Sequence, residues 1–259
     1  MREASTIRER LKYYSDFLWG MTEKEIKARY KRAVFGFLWI LLNPLMQMII
    51  IGAIFSYFIK VPNYFLFLFV GLLAWQFFSL SLTKVTPSIV YERNLLVKAK
   101  FPIEAIPISI ILSNFLHMII SYIIFLPILF FTVKLTMASL LLTITALIWL
   151  LLLTIGLGLL TASLNVRYRD VNFFIQTTII LWFYATPILY DSTIVSEKLF
   201  PFFALNPLTS IFEILHYSLL NQGRIDIKIL AANLSLSLII IMLGVLIFRK
   251  MHKFFVDWL

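Results

Sequence analysis

The chain is predicted to be an all-α integral membrane protein of six transmembrane helices, with an N-terminal amphipathic interface helix and a re-entrant helix pair on the outer face. Three observations lead there. Hydrophobic residues fill 61% of 259 positions and the mean hydropathy is +0.93, whereas soluble domains sit near roughly 45–50% apolar. The apolar residues come in runs long enough for helices to span a hydrocarbon core of about 30 Å, which takes roughly 20 residues each. No alternating ten-residue strand pattern occurs, so helices rather than a barrel must satisfy the backbone amides in lipid.

The elements follow in order. Residues 1–34 are polar and charged rather than an apolar signal segment, and form a cytoplasmic basic arm ahead of the membrane region, 35–259. Within the arm, Ile7, Leu11, Tyr14, Leu18 and Met21 fall in one arc at 100° per residue, with Arg8, Arg10 and Lys12 off it. Gly20 predicts a stop, and Thr22-x-x-Glu25 has the spacing of a capping box that restarts a second helix. Such an arm lies in the headgroup layer against anionic lipid; whether it also docks a cytoplasmic partner stays open at this point.

Spans are predicted at Phe35–Ile59, Tyr64–Thr83, Pro107–Val133, Met137–Leu164, Phe173–Leu189 and Ile227–Phe248. Leu199–Leu220 is apolar enough to suggest a seventh, but Asn206-Pro207 breaks it and Glu213 and His216 interrupt it. A seventh crossing would also put the basic tail RKMHK on the wrong side. The stretch from about 190 to 226 is therefore predicted to be re-entrant.

Charge sets the orientation. With the N-terminus inside, nine Lys and Arg fall in the arm. Arg93, Lys98 and Lys100 are in the next inner loop, Arg167 and Arg169 in the one after, and Arg249, Lys250 and Lys253 in the tail. Only Lys60, Lys134, Lys198, Arg224 and Lys228 fall outside. That bias predicts both termini on the cytoplasmic face. It also accounts for the net charge of +10 without nucleic acid. The chain has no cysteine, which excludes disulfides and thiolate-bound metal.

Two inner segments carry further information. YERNLLVKAKFP (91–102) is a short polar island between long apolar runs. Its residues read either as a solvated basic turn or as a contact surface with Leu95, Leu96 and Val97 at its centre and Arg93, Lys98 and Lys100 at its rim. In the second turn, Asp170 complements the positive end of the fifth span, and Arg167 or Arg169 is placed to pair with it or with lipid phosphate. Inside the spans, His117 and Asn114 lie one turn apart with no carboxylate in the same span. They are predicted to form interhelical hydrogen bonds rather than a proton relay. Glu213 and His216 share a face, either pairing with each other or helping to close an outer gate.

Four motifs occur in register: RYKRAVFGFLWILLNPL (29–45), RYRDVNFFIQ (167–176), WFYATPILY (182–190) and LNPL (205–208). Together they resemble the membrane subunit of ABC-2 type exporters of bacterial cell-surface polysaccharides, over nearly the whole chain. The resemblance implies a homodimeric permease in the bacterial inner membrane that moves lipid-linked O-antigen-type polysaccharide. Two copies of a separate ABC ATPase supply ATP and Mg, so this chain needs no cofactor and is not itself an enzyme. The absence of G-x-x-x-x-G-K-[ST] fits that division of labour.

The resemblance also implies roles for particular residues. Glu92, Arg93, Asn94, Leu95, Leu96, Lys98 and Lys100 form an ATPase-coupling helix. Arg29, Tyr30, Arg167, Arg169 and Asp170 form a cytoplasmic gate or turn. Trp39, Tyr57, Trp182, Tyr184 and Tyr190 are channel candidates, since aromatic faces let sugars slide, although span-end Trp and Tyr equally suit an interfacial belt. Asn206, Pro207, Glu213 and His216 are assigned to an outer gate. Alternatives are an ABC-2 permease for teichoic acid, capsule, drug or lipid, a membrane enzyme acting on lipid-linked sugars, and an ion channel or secondary transporter. An enzyme would need clustered carboxylates, and no Asp-x-Asp occurs.

Overall fold

In the computed structural model, residues 7–31, 35–59, 61–98, 101–133, 135–192, 195 and 199–259 are described. Among the described residues the chain is helical throughout, without strands. The arm is α1 (Ile7–Tyr30), followed by α2 (Trp39–Phe55), α3 (Tyr64–Val85), the short α4 (Ser88–Tyr91) and α5 (Arg93–Lys98), and α6 (Ala105–Thr132). Then come α7 (Met137–Arg167), α8 (Asp170–Ala185), α9 (Phe200–Leu205), α10 (Thr209–Leu220), α11 (Ile227–Met251) and α12 (Phe255–Trp258). Four stretches are long and apolar enough to cross a bilayer: Tyr64–Val85, Ala105–Thr132, Met137–Arg167 and Ile227–Trp258. The chain is thus a multi-pass membrane protein.

The arm corrects the sequence reading. It is one continuous helix through Gly20, not two pieces. Thr22 caps nothing; it is fully buried and its hydroxyl donates to the Leu18 carbonyl at 2.8 Å, as a mid-helix threonine does. A glycine inside a helix costs only about 1 kcal/mol, which the packing of α1 along α6 offsets.

The other predicted first and fifth spans are shorter than expected. α2 has 17 residues and α8 has 16, about 26 and 24 Å at 1.5 Å per residue. α2 is preceded by a 3₁₀ turn, Gly36–Leu38, where Gly36 has φ +45°. α8 stops at Ala185 because Thr186, ahead of Pro187, is extended. Elsewhere helices run past the apolar stretch that predicted them: α7 continues to Arg167 and α11 to Met251. Backbone hydrogen bonding does not end where hydrophobicity does.

α3 is the axis of the subunit. Fifteen of its 22 residues are buried, against α2, α6, α7, α8 and α10. Phe67, Phe69 and Phe78 are among its fully buried side chains. α7 and α11 meet most closely at Gly156 and Gly244. A Cβ on Gly244 would land on the Gly156 carbonyl, so only glycine permits that backbone approach. The predicted break at Asn206-Pro207 falls between α9 and α10, and α10 is buried on α3 and α7 rather than spanning alone.

Candidate functional site

One end of the bundle gathers the arm, α4 and α5, the α7–α8 turn and the C-terminal tail. Lys24 of α1 pairs with Glu92 at 3.0 Å. α12 packs on both α5 and α7, and the Arg167 guanidinium lies over the rings of Tyr168 and Trp258, with centroids at 5.2 and 5.4 Å. Glu92 and α5 are thereby tied to the arm and the tail. Arg93 and Asn94 are exposed and Leu95 is half-buried. Leu96 turns inward and belongs to this chain's own core. Lys100 and the side chains of Val97, Lys98 and Tyr30 lie outside the described residues.

Asp170 stands in the first turn of α8, where the helix dipole favours it. Among the described residues neither Arg167 nor Arg169 pairs with it; Arg167 stacks on aromatic rings instead. Below it, Asn172 accepts from the Gln176 amide at 3.3 Å.

Arg29 does not face this end. The last turn of α1 carries it against the middle of α6, where its guanidinium bonds Asn114 Oδ1 and His117 Nδ1. Asn114 in turn donates to Ser81 of α3 at 3.0 Å. The predicted interhelical role of Asn114 and His117 is thereby realised, with a partner that sequence placed elsewhere. Opposite them, Gln76 bonds Gln47 at 3.4 Å and Gln47 bonds Asn43 at 3.1 Å, tying α3 to α2. Asn43 sits in the NPL motif.

The far end has its own polar cluster, centred on Asn206. Its Oδ1 accepts from Trp182 Nε1 at 2.8 Å and from the Leu208 amide at 3.1 Å. Its Nδ2 donates to the Ala185 carbonyl and to Thr186 Oγ1, both at 3.1 Å. The LNPL and TPILY motifs are thus one structural joint. Asn233 makes a second such joint, accepting from Ser210 and donating to the Ala204 carbonyl. Neither asparagine's role shows in the sequence, because all these partners except the Leu208 amide are 20 or more positions away in the chain.

Glu213 and His216 are buried but do not form the anticipated pair. His216 stacks on Phe67 with ring centroids 3.7 Å apart, and its Nε2 meets the Phe67 carbonyl at 3.2 Å. Burial pushes the Glu213 carboxyl up to about 7, with a Ser192 hydrogen bond opposing it and Asp191 and Asp226 adding to it. Burial pushes His216 down to about 4.

The channel candidates divide. Trp182 packs edge-on against Phe78 at 5.3 Å and its N–H is engaged by Asn206, so it is part of the joint. Tyr190 donates to the Tyr184 carbonyl at 3.0 Å. Trp39, Tyr57 and Tyr184 are exposed. They lie on α2, on the turn after it and on α8, two helices with few buried residues.

Comparison with known proteins adds a family signal to this geometry. The ABC-2 type transporter family model matches residues 17–220. An "O-antigen export system permease protein RfbA" of Klebsiella pneumoniae is 33% identical over 254 residues, 95% of this chain and 96% of its own. A protein of the same name from Myxococcus xanthus is 34% identical over 210 residues, 79% of this chain and 80% of its own. A further Klebsiella pneumoniae relative of that name is 32% identical over 251 residues, 95% and 96% of the two chains.

Proposed function

Since the chain belongs to the ABC-2 type transporter family, we propose that it is the permease subunit of an ATP-driven exporter that moves lipid-linked O-antigen-type polysaccharide across the bacterial inner membrane. The carrying observation is the near-full-length match to O-antigen export permeases, at about a third identity. In this reading the chain works as a homodimer with two copies of a separate ATPase, which holds ATP and Mg. Both termini are cytoplasmic.

The meeting of helix ends supports a reading with six passes. Lys24–Glu92 puts the arm beside the exit of α3, so α2 and α3 form a hairpin. α12 meets α5 and the α7–α8 turn, so α6 and α7 form a second hairpin. Tyr64 at the start of α3 donates to the Leu189 carbonyl at 2.8 Å, which puts the exit of α8 at the opposite end, and α11 returns. In this reading α2 and α8 also cross despite their length, since short helices are accommodated by local thinning of the bilayer. α9 and α10 are then the outer, re-entrant pair.

Work from the ATPase enters at 92–98. Arg93, Asn94 and Leu95 present the contact, while Leu96, α12 and the Lys24 bridge transmit its displacement to α1, α3 and α7. The exposed apolar sides of α2 and α8 are the surfaces left for a second copy and for the polymer path, with Trp39, Tyr57 and Tyr184 on them. Purification with its ATPase tests the reading. A two-plus-two complex in which Arg93→Glu uncouples ATP hydrolysis from export is expected; a lone chain that turns over sugar nucleotides would overturn it.

A further inference from the structure

A cavity of about 540 Å³ opens between α6, α7 and α11, with Tyr14 of the arm completing its lining. That size falls within the roughly 300–1,000 Å³ of pockets that hold small molecules. No residue of α2, α3 or α8 lines it, so it is separate from the surfaces assigned to the polymer path. Its three helices give it one polarity. Val245, Phe248, Arg249 and His252 recur at helical spacing along α11 and the 3₁₀ turn that follows, apolar first and charged last. α6 runs the other way, with Glu104 at its N-cap and Ile108 one turn further in. Ile155 and Leu159 of α7 close the apolar part. The charges therefore gather at the end where the arm and the basic tail lie, and the apolar wall leads away from it.

Opposite charges line this cavity without meeting. Among the described residues the ion pairs are Lys24–Glu92 and Lys27–Glu23, so neither Glu104 nor Arg249 has a counterion. The Glu104 side chain makes no cap bond to α6 either. Burial first, and the Glu104 charge second, push the Tyr14 hydroxyl up, which places the carboxylate near that hydroxyl. His252 donates from Nδ1 to the Arg249 carbonyl at 2.7 Å and stacks on Phe248, which fixes its ring at the cavity's edge. Glu104 is half-buried, and a carboxylate drawn out of water gains most from a cation that donates hydrogen bonds. Arg249 is the residue type that grips phosphate with a planar fork of N–H groups. One ligand carrying both signs satisfies the two together, and the apolar wall calls for hydrocarbon on the same molecule.

We infer that this cavity holds a zwitterionic phospholipid with a primary ammonium, of the phosphatidylethanolamine class, as a resident of the subunit and not as cargo. The ammonium meets Glu104 and the Tyr14 oxygen, the phosphate meets Arg249, and the acyl chains lie along Ile108, Ile155 and Val245. A trimethylated head carries the same charge but has no N–H to donate to Glu104, and an anionic glycerol head brings Glu104 no cation. The inner leaflet is assigned from the exporter reading; the recognition chemistry is independent of it.

The test reconstitutes the full chain in nanodiscs of equal parts phosphatidylethanolamine and phosphatidylcholine. The chain is then released into mild detergent and the retained lipid is identified by native mass spectrometry. The unaltered chain is expected to keep phosphatidylethanolamine about tenfold over phosphatidylcholine, the worth of one charge-assisted hydrogen bond. The N,N-dimethyl lipid should fall between them. Glu104→Gln should erase the preference, and Arg249→Gln should lower retention of both lipids several-fold. Melting curves serve as the folding check, and the lipid series on the unaltered chain decides the matter without any variant. Equal retention of the two lipids overturns the site, as does an undiminished preference in Glu104→Gln. Phosphatidylglycerol retained as well as phosphatidylethanolamine would reduce it to a plain cationic contact and overturn it too. Equal competition by soluble phosphoethanolamine would remove the lipid from it. Failure to assemble with an ATPase would topple the exporter reading and leave this result, whereas absence of the lipid preference would topple this inference alone.

Discussion

Two polar clusters inside this membrane protein are built to opposite specifications. Around Asn206 every group is neutral, and both ends of the amide are engaged, two bonds on each side. Around Arg29 a full charge is held by neutral acceptors, one donor is unpartnered, and a cavity adjoins it. A buried network with all its members satisfied fixes one geometry; one that is left incomplete in a polar cavity waits for a further component. The first is a joint. The second is left open.

The sharpest way to break this contrast is Asn206→Ala. It strands the Trp182 N–H and the Ala185 carbonyl at once, at a loss of about 2–4 kcal/mol. A large drop in melting temperature and in recovery of monodisperse protein is expected; a normal melt would show that the joint does not hold the α8 end. Next is the pH dependence of the same far end. Glu213 holds its proton up to about 7 in the fold against an ordinary 4.5. The folded state thus binds more protons in that window, and stability declines as pH rises from about 4.5 towards 7, then levels. His216 works in the opposite sense: lowered to about 4 from 6.5, it removes stability as pH falls from 6.5 towards 4. The two slopes cancel between about 4.5 and 6.5, so melting should be flat there and decline from about 6.5 towards 7, and Glu213→Gln should abolish that decline.

Smaller effects sharpen the comparison from the other cluster. Arg29→Gln keeps an amide donor for Asn114 and removes a half-buried charge, so stability should change by no more than about 1 kcal/mol. A collapse of the fold would make Arg29 a joint like Asn206. Trp182→Phe retains the ring against Phe78 and deletes one hydrogen bond, for a loss of about 1 kcal/mol. Lys24→Ala removes an exposed ion pair worth a few tenths of a kcal/mol. It should leave melting unchanged and be visible only as weaker coupling between ATP hydrolysis and export.

Much of the architecture was legible because lipid imposes a simple rule on sequence. Tyr64 and Met137 were located as helix starts from hydropathy alone, and Asn206-Pro207 as a break from proline sterics. The polar island at 91–102 was visible as charge between apolar runs. The arm was misread at Gly20, where a local stop signal lost to packing of α1 on α6. Leu96 reads as surface in a charged loop, yet the tail folds under it. Arg29 reads as one basic residue among nine in the arm, and nothing in its neighbours says that it reaches Asn114 and His117, 85 and 88 positions away.

By itself, then, the sequence determined that this chain lives in a bilayer as helices, which segments are apolar enough to enter it, and which family it joins. Those properties are sums over local composition, and each residue contributes without knowledge of its partners. Only the tertiary structure decided which polar residues meet. It bound Asn206 to Trp182 and Ala185, took Leu96 into the core, and set Arg29 against Asn114 and His117. Such pairings are fixed by the packing of helices far apart in the chain, where one buried hydrogen bond made or left unmade outweighs any local preference.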